Sequence, residues 1–320
     1  MEHMIGERQR WAWLAAGLSG AAASGICGFS WMWVLAGGLA VTIYYIVLDR
    51  KLDTDGLAIL FVRKLGVGGK ILCVLTLIWT IVVMGWAAGL ADTAFPMVDG
   101  VPGLGWILLA LAAWGSEKGA GACARCCGVL CLFLIALYGT ILVFALPDVE
   151  WVWILGYGPW QEALWSAGLF LLPAGVWFVP CSRERKGPAW QMAFLLPGFA
   201  AALAAVTAGV LSPELAAVRK VPLYDLTQSI SVFGVVERIE PLLSAAMTMG
   251  IFALLSGLTC ACQGLLDQLR PWKWNGAAAA AGAGALVVLL QDLPVELLAL
   301  GAVLFWGMIP LVVVLLGKKN

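Results

Sequence analysis

Charge is scarce in this sequence. Only 12% of its 320 residues are Asp, Glu, Lys or Arg, about half the share of an ordinary soluble domain. With 62% hydrophobic residues and a mean hydropathy of +0.95, the chain reads as a polytopic membrane protein. Histidine is almost missing. The single one, His3, sits in the N-terminal tail, so no histidine at membrane depth relays a proton or binds a metal. No carboxylate falls deep in an apolar run, which leaves no obvious proton carrier. A nucleophile–base pair, a metal-ligand set and a glycine-rich phosphate loop are also lacking. Enzyme chemistry is therefore excluded, with no catalytic residue, metal ligand or cofactor assigned, and nucleic acid is not an expected partner.

Cysteine is plentiful, with nine residues. Cys123-Ala-Arg-Cys126 has metal or redox spacing, but neither a second cluster nor a histidine completes a site. Cys127, Cys131, Cys260 and Cys262 likewise read as small apolar residues of helix interiors. The first apolar segment is followed directly by another and shows no cleavage site, so a removable signal peptide is not expected.

Hydropathy predicts about ten transmembrane helices in an all-α fold: 11–29, 31–48, 71–94, 104–115, 123–146, 161–180, 190–211, 241–266, 276–290 and 295–316. Leu57 to Val62 is too short to span and fits an interfacial helix. Ten spans put both termini on one side. With the termini cytoplasmic, every one of the 19 basic residues except Arg219, Lys220 and Arg238 falls inside, the bias the positive-inside rule expects.

The chain thus divides, within a single transmembrane domain covering 1–320, into five-span halves at 10–146 and 161–317, with 212–240 as an extracytoplasmic connection. Five is odd, so the halves run in opposite orientations. The leading span of each is irregular. The first holds Gly17, Ser19, Gly20, Ser24 and Gly25; the sixth holds Leu172-Pro173-Ala174-Gly175 at its middle, where Pro173 removes a donor and Gly175 adds flexibility. One broken helix is as well explained by a proline kink. Two at corresponding positions match inverted-repeat transporters, in which unwound backbone near the midplane holds the substrate. An amino acid suits such a place: its carboxylate meets helix N-terminal ends and its ammonium meets freed carbonyls.

One segment carries a more specific signal. Pro222, then Ile230-Ser231, then Glu237-Arg238-Ile239-Glu240 entering the eighth span resembles the GerAB-type permeases, the membrane B subunits of spore germinant receptors. Leu65-Gly66 with Lys70, and Gly119 with Arg125, agree in order with weaker motifs of that family. The resemblance implies the amino acid–polyamine–cation transporter (LeuT-like) fold. It also implies a germinant sensor for a small amino acid in the spore inner membrane, or bacterial cytoplasmic membrane, beside an A-type membrane subunit and a C-type lipoprotein. A stand-alone amino acid permease is the alternative, and a structural subunit that binds nothing is a third reading. The chain departs from the family in its first helix, which has only a short run between Gly25 and Trp31.

The candidate substrate-binding residues follow from the breaks. Ser19, Gly20, Ser24 and Gly25 expose backbone to a ligand or else permit close helix packing. Phe170, Pro173, Ala174 and Gly175 line the second break. Trp86 caps the pocket or packs in the bundle. Ser244 and Thr248, four apart on the eighth span, offer an ion site or bond back to their own helix. At its entry Glu237 and Glu240, three apart, bracket Arg238 or a partner's charge, or else form a solvated interfacial cluster with it, and Asp292 and Glu296 mark a hydrated outer turn.

Overall fold

The first and sixth apolar segments stop being α-helical in mid-course, and the rest of the bundle is arranged around those stops. The computed structural model describes residues 5–52, 56–92, 103–154, 158–182, 190–219, 221–230, 240–272 and 274–316. The chain opens with a short strand β1 (Ile5–Gly6) and helix α1 (Glu7–Gly17). A π-turn over Leu18–Ala22 follows, with Gly20 outside helical geometry (φ −87°, ψ −115°), and then one turn of helix, α2 (Ala23–Ile26). Next come α3 (Trp31–Lys51), α4 (Leu57–Leu65), α5 (Val67–Asp92), α6 (Leu104–Glu117), α7 (Ala120–Ala145) and α8 (Trp151–Ile154). Helix α9 (Gln161–Leu171) gives way to a seven-residue 3₁₀ stretch, Leu172–Phe178, and strand β2 (Cys181–Ser182). The remainder is α10 (Trp190–Leu211), α11 (Pro213–Val218), α12 (Pro222–Ser229), α13 (Glu240–Asp267), α14 (Asn275–Leu290), α15 (Val295–Ala302), a π-turn (Val303–Met308) and α16 (Ile309–Leu316).

Among the described residues, six helices are long and apolar enough to cross a bilayer, and two apolar helices, α6 and α14, are shorter. The protein is an integral membrane protein. Several boundaries differ from hydropathy. The third apolar segment starts at Val67 rather than Ile71, because Gly66, at φ +57°, turns a corner out of α4 that a side-chain-bearing residue would resist. The fifth starts at Ala120, beyond Gly119 at φ +94°. The connection after α10 folds into α11 and α12, each opened by a proline in its first turn, and the Ser212 side chain accepts the Leu215 N–H. Of the segment resembling the germinant-receptor subunits, residues 231–239 lie outside the described residues, as do 183–189, the charged turn after β2.

Helix α13 is the hub. It packs against α1 and its π-turn, α5, α6, α7, α14 and the 3₁₀ stretch. Of its most apolar window 72% is buried, against 28% for the window in Ala120–Asp148, so α13 faces protein while α7 faces lipid with much of its surface. Contacts gather five chain segments at one end of the bundle. Ile5–Gly6 pairs in parallel with Cys181–Ser182. Arg10 reaches Asp49 near the end of α3. Phe61 of α4 meets Phe178 edge-on at 6.0 Å, and Lys64 donates to the Val313 and Val314 carbonyls near the end of α16. At the opposite end Glu162, in the first turn of α9, accepts the Ser30 N–H that begins α3 at 2.7 Å.

Candidate functional site

A break in a helix frees backbone carbonyls, and in hydrocarbon each must find a donor. Here tyrosines from other helices supply them. The Tyr138 hydroxyl on α7 donates to the Ser19 carbonyl, just before the pivot at Gly20. Where α9 runs into the 3₁₀ stretch, the residue three on from Phe170 is Pro173, which has no N–H to give the Phe170 carbonyl a 3₁₀ bond; the Tyr45 hydroxyl donates to that carbonyl at 3.0 Å. The π-turn between α15 and α16 repeats the pattern, its Trp306 carbonyl accepting from Tyr44 at 2.6 Å. These three residues escape notice in the sequence because tyrosine is grouped with the hydrophobic residues when composition is counted. The available signal was chemical: a phenol at membrane depth needs a partner.

The two breaks meet on α13. At Gly20 the backbone rests directly on Gly250 and Ile251, with no room for a Cβ. Gly17 faces Pro173, where an added Cβ would stand 3.1 Å from the proline Cβ. Gly175 faces Leu258, Gly257 and Ala261. The Trp13 indole donates to the Ala253 carbonyl at 3.0 Å and anchors α1 to the same helix. Pro173, Ala174 and Gly175 are buried. This is a closed arrangement: the irregular backbone of both helices is held against small residues of one straight helix.

The other predicted residues are placed less uniformly. Ser19 donates back to Ala16 at 2.7 Å. Gly25 faces Leu169 and Val295, on the α9 and α15 side. The Ser24 side chain is outside the described ones. Phe170 packs its ring onto Gly38 of α3 beside Pro197. Trp86 is buried on α5. The Thr248 hydroxyl donates to the Ser244 carbonyl at 2.8 Å, a back-bond within α13. Glu240, expected either in a solvated cluster or paired with Arg238 or a partner's charge, is 5% exposed, and its Oε2 has no hydrogen-bond partner among the described residues, which leave out Glu237 and Arg238. It begins α13, against which α12 packs. Asp292 and Glu296 are exposed.

Two cavities flank the breaks. One, of about 550 Å³, runs along α1 and its π-turn between α7 and α10. The other, of about 280 Å³, lies beside the turn from α2 to α3 and includes Glu162 and Glu214.

The tyrosine bonds can be tested singly. Tyr45→Phe and Tyr138→Phe each leave a buried carbonyl without its donor, which costs about 1–3 kcal/mol. Thermal unfolding in detergent should show both losses. Tyr224→Phe serves as a control because Tyr224 lies in the connecting helix α12; equal losses in all three would remove the special place given to the breaks.

No protein-family model matches the sequence, and no curated protein matches it significantly. Solved structures do resemble it. Mhp1, a nucleobase-cation-symport-1 family transporter captured closed with bromovinylhydantoin bound, superposes with a TM-score of 0.73 at 13% identity, over 98% of this chain and 78% of that one. MhsT in complex with L-phenylalanine superposes with a TM-score of 0.70 at 13% identity, over 100% of this chain and 91% of that one. At such identity the likeness speaks to architecture: the chain has the LeuT-type fold of membrane transporters.

Proposed function

We propose that this protein is an amino acid permease of that fold, binding a small amino acid between the π-turn at Leu18–Ala22 and the 3₁₀ stretch at Leu172–Phe178. The proposal includes ten spans, a five-plus-five inverted repeat over 10–146 and 161–317, and cytoplasmic termini. The observation that carries it is the pair of breaks apposed on α13, each with a carbonyl satisfied by a hydroxyl from another helix. A ligand ammonium offers those carbonyls the same kind of donor, so a site opens by exchanging tyrosine bonds for ligand bonds. Ser19, Gly20, Ser24 and Gly25 contribute from the first break and Phe170, Pro173, Ala174 and Gly175 from the second. Trp86, Ser244 and Thr248 stand on the neighbouring helices α5 and α13. With the hydroxyl of Thr248 turned onto its own helix, we assign no coupling ion.

A second reading rests on the segment 221–242, whose likeness to the B subunits of spore germinant receptors supports a sensor that binds an amino acid and signals to A-type and C-type partner subunits.

Uptake and binding of labelled alanine by the purified chain in liposomes distinguish the two. A Gly175→Leu variant controls for the pocket, since a Cβ there already stands 3.0 Å from Leu258. Saturable uptake lost in the variant is the expected result. Saturable binding without uptake supports the sensor. If neither alanine nor any other small amino acid binds, both readings fall.

A further inference from the structure

The cavity along α1 has a composition that the proposed amino acid site does not explain. We propose that it is a lipid site, holding one acyl chain of a bilayer phospholipid. Its walls come from α1 with its π-turn and α2, and from α7 and α10, and are almost wholly apolar. Its rim includes Leu132 and Leu195, 70% and 71% exposed, so it opens sideways, continuous with the lipid-facing surface of α7 and α10. The solvent at that mouth is hydrocarbon. The volume, about 550 Å³, falls in the range that encloses a ligand of some tens of atoms.

Polar chemistry narrows the occupant. Among the described residues the hydroxyls in the wall are already committed, Ser19 to the Ala16 carbonyl and Tyr138 to the Ser19 carbonyl, and the lining includes no charged side chain. The Trp11 indole N–H, though at the wall, is covered. An amino acid, with an ammonium and a carboxylate to desolvate, is poorly served by that. An apolar chain is well served.

Two glycines make the test clean. Gly128 of α7 and Gly198 of α10 line the cavity, and a Cβ on either meets no atom within 4 Å. Leucine at these positions fills the space without a clash. Gly139, also on α7 with open space around it, lies outside the lining and is the control. The full chain is reconstituted in phosphatidylethanolamine–phosphatidylglycerol liposomes with a trace of phospholipid bearing a diazirine midway along one acyl chain. After illumination, labelled peptides are quantified by mass spectrometry, with lipid-facing α6 as baseline.

Label on the cavity-facing peptides of α1, α7 and α10 is expected to exceed that baseline at least about tenfold, as a site with an affinity advantage of roughly 1.4 kcal/mol would give. It should fall to baseline in Gly128→Leu/Gly198→Leu and stay unchanged in Gly139→Leu. Label at baseline in the unaltered chain, or indifferent to filling the cavity, overturns the proposal. So does displacement of the label by soluble alanine, which would return the cavity to the substrate. None of these readings depends on transport, so the lipid site and the permease function fail or stand separately.

Discussion

Gly20→Ala is expected to cost about 3 kcal/mol or more and to abolish amino acid binding. The added methyl would be driven into the backbone of Gly250 and Ile251, inside a straight hydrogen-bonded helix. Overpacking a core costs about 1–3 kcal/mol when side chains can yield; main-chain atoms cannot swing aside. Gly250→Ala meets the same obstacle from the other side, its Cβ at 2.5 Å from the Gly20 nitrogen. It should lose a similar amount despite the usual gain of roughly 0.5–1 kcal/mol from alanine within a helix. Gly282→Ala, with nothing within 4 Å in α14, should show that gain unopposed. Thermal unfolding of the three variants, followed by tryptophan fluorescence, reads the contrast in sign. If Gly20→Ala melts with the unaltered protein, the backbone contact that joins the first break to α13 is wrong.

The second large effect concerns the end of the bundle where α1 begins. Arg10 is 2% exposed. Its guanidinium donates to Asp49 at 3.3 Å and to the Val179 carbonyl at 3.1 Å, and it lies 4.5 Å over the centre of the Trp177 ring. Trp177 in turn stacks on Tyr45 at 5.5 Å and meets Trp11 edge-on at 5.8 Å. One side chain therefore ties α1 to the end of α3 and to the chain leaving the 3₁₀ stretch. Arg10→Ala should cost about 3 kcal/mol, the lower end for breaking a buried pair, because Asp49 keeps 27% of its side chain exposed. The effect should be local. Cys181, a buried free thiol in β2 beside the Ile5 pairing, should react with a membrane-impermeant maleimide on the order of a hundredfold faster, since the opening free energy falls by that amount. Arg10→Lys should be intermediate, since one ammonium lacks the fork that serves both acceptors. An unchanged Cys181 rate in Arg10→Ala would show that Arg10 does not hold this end shut.

The sequence was most legible where a local rule decides the outcome. Pro173 cannot continue a helix, and the 3₁₀ stretch begins within one residue of it. Helix α10 has the limits that hydropathy assigned, even with Pro197 inside it. The first break was visible as an excess of glycine and serine, but its pivot at Gly20 was not. What singles out Gly20 from Gly17 and Gly25 is Gly250, more than two hundred residues away. The tyrosine donors and the lateral cavity were hidden for the same reason: each exists only once α7, α3 and α10 stand beside helices distant in sequence. Glu240 shows the limit from the other side. A charged cluster at a span entry reads equally as solvated or as paired, and whether an acid is covered depends on the fold of the connection before it.

Tyr44 and Tyr45 are neighbours in the chain yet serve different masters, Tyr44 holding the π-turn at Trp306 and Tyr45 the end of α9 at Phe170, just before the 3₁₀ stretch. Adjacent residues on an α-helix point about 100° apart. Helix α3 therefore acts as a yoke, with one arm on each of two irregular helices that touch each other. A roll of α3 about its axis swings both arms at once, and displacing either irregular helix alone breaks one phenol bond while leaving the other. The sixth helix and the last are geared together through a single straight rod, and the loosest backbone in the second half of the protein answers to a helix of the first.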